Sequence, residues 1–173
     1  MDRTILAHGE LHEVACAVLS DGSSPADEVL ELMSHGRWED DPEFADLPPD
    51  AQIKQHDHFL AAMEFFADNG VPHNASVTMN ALRDGIWEFK IAKKRFSFFD
   101  TDGMGNKFSP RKCTDREQSI DPEDDLFWHV PNFERLIRIG HCFPKLGDKT
   151  TEKQIQRTLQ VRWEDLSHDR KAG

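Results

Sequence analysis

The clearest periodicity in the chain lies between residues 86 and 99. Trp87, Phe89 and Ile91 fall on one side, and Glu88 and Lys90 on the other. Alternation of period two predicts a half-buried strand. The pair Lys93-Lys94 reads as the turn that follows. Phe96 and Phe98 then oppose Arg95 and Ser97 in a second strand. A third strand is predicted in "RLIRIGHCF", with Ile137, Ile139, His141 and Phe143 on one face and Leu136 and Arg138 on the other. "HEVACAVL", residues 12–19, supplies an N-terminal strand.

Helical spacing appears in three places. Ser24, Pro25 and the acids after them form a cap and first turn, and Gly36 ends that helix. Over roughly residues 50–68, Ile53, Leu60, Met63 and Ala67 share a face, with Phe59 and Phe66 beside it; Asn69, Gly70 and Pro72 terminate the run. Ile155, Leu159, Arg162 and Leu166 define a last helix, capped by Thr151. "RWEDDPEFADLPP" is a polar connection between the first two helices.

The stretch 101–132 is too long and polar for a hairpin turn and reads as an inserted excursion, with "LFWHV" docking on the body. The order is strand, helix, helix, three antiparallel strands, helix. That predicts an α+β fold with helices against one face of a three-stranded antiparallel sheet, in one domain of 173 residues with an acidic N-terminal extension over 1–49.

Charge divides this picture. The net charge is −11, yet residues 1–80 hold sixteen acids against Arg3, Arg37 and Lys54, while 81–112 and 133–163 are each net basic by four. Such asymmetry suggests a charged partner for one part; the alternative is ordinary solvated charge spread over the surface. No apolar run reaches membrane-spanning length, and the N-terminus lacks the pattern of a secretory signal. Cys16, Cys113 and Cys142 form neither a metal motif nor a disulfide framework, so a cytoplasmic setting is expected.

"LRDGIWEFKIAKKRFSFFD" and "IRIGHCFPKLGDKTTEKQIQRTL" together resemble the phage Gp49-like/HigB branch of the RelE–ParE toxin superfamily. Leu82, Gly85, Trp87, Glu88 and Lys90 match its first block; Arg95, Phe98 and Phe99 its second; His141, Phe143, Lys145, Lys149 and Thr150 its third. Leu146 and Thr151 depart from its usual Lys and Pro, and the chain has no tyrosine. The resemblance implies a RelE-like fold and the toxin of a type II toxin–antitoxin pair. Its partners would be mRNA on the ribosome and a cognate helix-turn-helix antitoxin. Many members cleave mRNA without metal or other cofactor; ParE-like members inhibit gyrase. A non-catalytic interaction protein is the alternative that the missing tyrosine and net acidity favour.

Metal-free RNA cleavage needs cations around the phosphate and a group that moves protons. By parity Lys90, Arg95 and Arg138 leave the sheet on one face, and Lys145 and Lys149 sit beyond the third strand near the last helix. These, with Lys94 as a further RNA contact, form the expected phosphate grip. His141 is either the proton carrier or a satisfied core histidine, since its parity groups it with Ile137 and Ile139. Asp165 and His168 read as charges of a frayed tail. "HDH" at 56–58 is not a metal pair, because such neighbours point apart on a helix. "DTDGMGN" is a turn rather than a calcium loop.

Overall fold

The computed structural model describes residues 2–72, 77–107, 133–147 and 149–172. Its chain order is β1 (Ile5–His8), β2 (Glu13–Cys16), α1 (Pro25–Ser34), α2 (Asp50–Asn69), β3 (Thr78–Ala81), β4 (Trp87–Ile91), β5 (Lys94–Thr101), β6 (Leu136–Pro144) and α3 (Glu152–Ala172). The strands form one six-stranded mixed sheet in the order β1-β2-β6-β5-β4-β3. All neighbours pair antiparallel except β2 and β6, which run parallel.

This corrects the expected three-stranded antiparallel, RelE-like sheet. β1 and β3 are edge strands of only four residues; β1 (ILAH) does not alternate, and the alternation of β3 (TMNA) is too short to reveal a strand by period two. Two edge strands need a covered neighbour on only one side, which relaxes their sequence. The parallel β2–β6 pair joins residues more than a hundred positions apart, from Glu13↔Leu136 to Cys16↔Ile139.

The helices lie on both faces of the sheet, not on one as expected. Leu30 and Met33 of α1 and Phe59, Met63 and Phe66 of α2 bury against Val14, Phe89, Phe96, Phe98 and Ile137. The aromatic part is tightly stacked: Phe59–Phe96 and Phe89–Phe98 centroids lie 4.1 and 4.2 Å apart. On the opposite face a smaller cluster packs Val161 and Leu166 of α3 on Ala17, Ile86 and Phe99. Three layers result, with separate cores above and below the sheet.

Local signals place the first two helices well. Ser24 Oγ accepts from Asp27 N–H, Pro25 opens α1, and Gly70 ends α2 in a left-handed conformation at φ 80°. The buried stripe of α2 is Phe59, Ala62, Met63, Phe66 and Ala67, with Ile53 exposed instead of in the core.

Two register corrections matter for chemistry. The β4–β5 turn is Ala92 and Lys93, not Lys93 and Lys94: Ile91 pairs with Lys94, and Ala92 takes φ 50°. In β6, Phe98 pairs with Ile139 and Ser97 with His141, which leaves Gly140 as the extra residue of a bulge. The bulge inverts the parity beyond it. Ile137 and Ile139 face α1 and α2, Cys142 continues that face, and His141 and Phe143 turn toward α3. Thr101 bonds Asn106 O through Oγ1 and bridges to Lys107, closing the "DTDGMGN" turn. Most of the expected excursion, including "LFWHV", lies outside the described residues.

Candidate functional site

The α3 face of β4, β5 and β6 carries two cross-strand rows at one end of the sheet. Lys90 pairs with Arg95, and Arg95 with Phe143; beside them Glu88 pairs with Ser97, and Ser97 with His141. Strand neighbours lie about 4.8 Å apart, so each row spans about 10 Å. The sheet register therefore unites three of the expected residues: Lys90, Arg95 and His141.

Arg95 is 9% exposed. Its Nη1 donates to the carbonyls of Ala92 (3.0 Å) and Lys94 (2.8 Å), which braces the β4–β5 turn. Its Nε is buried without a hydrogen-bond partner, 3.9 Å from Glu88 Oε1. Burial lowers the guanidinium pKa and Glu88 opposes that shift; arginine remains a cation throughout. Glu88 is itself fully buried. It accepts from Thr150 Oγ1 at 2.7 Å and from Asn80 Nδ2 at 3.4 Å. Thr150 lies just ahead of α3, so this bond fastens the β6–α3 loop, with Lys149, to the strand that carries Lys90.

His141 is half-buried and stacks on Phe143 at 5.4 Å. Its Nε2 lies 2.8 Å from Gln154 Oε1. With that oxygen as acceptor, Nε2 bears the proton and Nδ1 holds a lone pair, which is buried without a partner. Burial lowers the imidazole pKa, the Gln154 bond raises it, and Arg157 lowers it further; the net direction is down. His141 is thus a neutral base rather than an acid at pH 7. Ser97 Oγ, between the two rows, donates to His141 O at 3.0 Å and shares a 2.6 Å bond with Thr158 Oγ1.

Two of the other expected cations, Lys94 and Arg138, stand apart from this corner. Lys94 is on the opposite sheet face, fully buried, with Nζ 2.9 Å from Asp41 Oδ2. Arg138 shares the α3 face, but toward the other end of the sheet. Its Nη1 is 3.5 Å from Glu13 Oε1, in a buried group with Arg3, Asp165 and Asp169. Arg3 bonds both aspartates at 2.9 Å, and Asp165 Oδ1 also accepts from Val18 N. Asp165 and His168 are accordingly not frayed-tail charges: Asp165 is fully buried, and His168 Nε2 meets Leu19 O at 2.7 Å. Lys145 is half-buried, with its main-chain N–H bonded to Lys93 O, and Lys149 is exposed.

Glu88, Thr150 and Gln154 were not singled out as active groups from sequence. Glu88 carried a signal, an acid between two aromatic core positions; Gln154 and Thr150 acquire meaning only when α3 folds onto the bulged strand. Among the described residues no group of three or more His, Cys, Asp or Glu could hold a metal ion, and no helix is long and apolar enough to cross a membrane. Comparison with protein-family models, with curated proteins and with solved structures gives no match.

Proposed function

We propose that the chain is the toxin of a toxin–antitoxin pair and a metal-independent endoribonuclease, acting at the corner formed by Lys90, Arg95 and His141. The sequence blocks around Trp87, Arg95 and His141 support the class. One observation carries the site: the Gly140 bulge turns His141 onto the face where Lys90 and Arg95 are already cross-strand partners.

In this reading the 2′-hydroxyl attacks the adjacent phosphorus and the P–O5′ bond breaks; His141 Nδ1, enclosed in the free protein and opened by RNA binding, takes the 2′-hydroxyl proton, and the departing 5′-oxygen takes a proton from water. Lys90 and Arg95 stabilise the added negative charge on the phosphoryl oxygens. Lys145 and Lys149 hold the flanking backbone, with the N-terminus of α3 adding to the positive potential. Thr150 and Glu88 act through position, since Glu88 is enclosed.

A second reading is favoured by the ion pairs. Lys94, Arg95 and Arg138 each have a carboxylate oxygen within 4.0 Å. Such cations are partly neutralised before any phosphate arrives, which suits a protein that binds a partner and cleaves nothing. Purified chain incubated with single-stranded RNA and with translating ribosomes separates the two. Fragments ending in 2′,3′-cyclic phosphate, abolished by His141→Ala, support the nuclease. Growth arrest on induction with intact RNA supports the binder.

A further inference from the structure

α3 carries four acids and five bases, and the fold sorts them. Asp165 and Asp169 lie underneath the helix, bonded to Arg3. Glu152 is held by Arg83 and by Gln156 Nε2. Glu164 accepts from Ser20 N at 3.1 Å and from Gln160 Nε2 at 3.4 Å. Arg162 turns inward, its Nη1 donating to the carbonyl of Asp84. The other four bases, Lys153, Arg157, Arg170 and Lys171, are exposed and form no ion pair among the described residues. Arg170 Nε donates to the carbonyl of Gly105, a neutral acceptor that leaves the charge uncompensated.

The same outward face holds Trp163, which is 63% exposed. Its neighbours one and two turns away on that face are Gln156, Gln160, Ser167 and Arg170, all polar. Leu159 and Leu166, on its other side, pack into the small core beneath α3. A partner helix would need a second apolar anchor at one of the outward positions, and a membrane surface a continuous apolar face. A single indole in a cationic, hydrogen-bonding stripe fits an unpaired nucleic-acid strand, whose bases stack on the ring while the cations take the phosphates. A duplex offers no free base face within it, and the major groove of A-form RNA is too narrow for side chains to read.

The stripe begins at the corner described above. Gln154 Oε1 meets His141 Nε2, and Arg157, one turn on, bears electrostatically on the same imidazole. Trp163 follows nine residues after Gln154, about 13 Å along the axis. Glu164 borders the stripe, and Arg157 acts on its carboxylate as well. The net charge of −11 does not cancel this field, because exposed charges more than about 8 Å away are screened at physiological salt.

We propose that the outward face of α3 is the track of a single-stranded RNA leaving the corner at His141. Lys153 and Arg157 hold the phosphates next to the reacting bond, a base stacks on Trp163, and Arg170 and Lys171 hold the strand beyond it. The inference rests on the nuclease reading for where the strand starts. It adds a substrate class: an unpaired strand of several nucleotides, gripped outside the step that is cut.

Binding is therefore measured apart from cleavage, by fluorescence anisotropy of the full chain with a labelled 2′-O-methyl oligouridylate dodecamer, which lacks the nucleophile. The comparison probe is the same strand annealed to its 2′-O-methyl oligoadenylate complement. The single strand should bind saturably and the duplex at least about tenfold more weakly. Trp163→Ala should weaken the single strand about tenfold or more, the worth of one base stacked on an aromatic ring, and Trp163→Phe should recover most of that loss. Lys153→Gln with Arg157→Gln should reduce the slope of log affinity against log salt by about 1.4, for two phosphate contacts on a single strand. No saturable binding, equal binding of strand and duplex, or equal binding by Trp163→Ala and the parent would each overturn the proposal. So would displacement of the strand by a capped hexaglutamate peptide as effective as unlabelled oligouridylate, which would make the face a protein-docking surface. Trp163-dependent binding by a chain that leaves RNA intact keeps the track and removes the nuclease reading. Cleavage with binding indifferent to Trp163 does the reverse.

Discussion

Lys94 Nζ sits 2.9 Å from Asp41 Oδ2 with side-chain exposures of 0% and 2%, although Lys94 is the chain neighbour of the solvent-edge turn at Ala92 and Lys93. The pair ties β5 to the α1–α2 connection. Burial pushes the Asp41 carboxyl up, but Lys94, the Glu43 N–H and Gln52 more than offset it and hold the carboxyl below its ordinary value. Removing the cation alone leaves two carboxylates without it. Lys94→Met should therefore destabilise by about 3–5 kcal/mol, and adding Asp41→Asn should recover part of that. Urea unfolding of the single and double variants at pH 7 measures both.

Gly9 lies in the β1–β2 connection, hard against the end of α2. A Cβ there would fall 2.4 Å from the carbonyl carbon of Ala67, whose oxygen accepts from both Leu11 N and His12 N. Backbone cannot yield as a flexible side chain can. Gly9→Ala should cost about 1–3 kcal/mol, the usual range for overpacking. A lowered urea midpoint with unchanged slope is the expected result.

Asp100 is buried on β5 and accepts from Glu134 N at 2.8 Å, while its Oδ1 has no partner. Burial, opposed by the Glu134 and Asp100 N–H groups, pushes its pKa from 3.8 up to about 7. The folded state thus holds a proton that the unfolded chain releases. That contribution to stability is complete below pH 3.8 and is lost as pH rises through 7. Asp100→Asn keeps an acceptor for Glu134 N and carries no charge. It should be more stable than the parent at pH 8 by about 1–4 kcal/mol, a gain that vanishes near pH 4. Urea midpoints across that range provide the comparison.

Lys90 and Arg95 are cross-strand partners with unequal structural duties. Arg95 braces the turn carbonyls, whereas Lys90 is only half-buried. Under the nuclease reading both substitutions to alanine should reduce RNA cleavage, by about ten- to a thousandfold for removal of one transition-state cation. Only Arg95→Ala should also lower stability, by about 1–3 kcal/mol. Cleavage at the parental rate by Lys90→Ala, in a folded protein, would remove this corner as the reaction centre.

Much of this was readable from local pattern. Trp87, Phe89 and Ile91 announced β4, Ser24 and Pro25 announced α1, and Gly70 announced the end of α2. Parity also placed Lys90, Arg95 and Arg138 on one face. It failed at Lys94, where a charged pair of residues imitated a turn, and at His141, where period two was carried through a bulge. Neither error was detectable locally. A lysine becomes a buried strand residue only if a carboxylate arrives from elsewhere, and the bulge at Gly140 exists only in the register of β6 on β5, with Thr158 of α3 lying 3.2 Å from where a Cβ would be.

The sequence alone determined the three helices and strands β2, β4, β5 and β6, because capping, turn chemistry and side-chain periodicity act within a few residues, but not the short edge strands β1 and β3. It also determined where charge is concentrated along the chain. The tertiary structure decided which strands are neighbours, which cations already have carboxylates, and which side of the sheet His141 serves. Those outcomes depend on contacts between segments up to 166 positions apart, as between Arg3 and Asp169. Pairing and burial at such separations are set by the packing of the whole domain, and no short window of sequence encodes them.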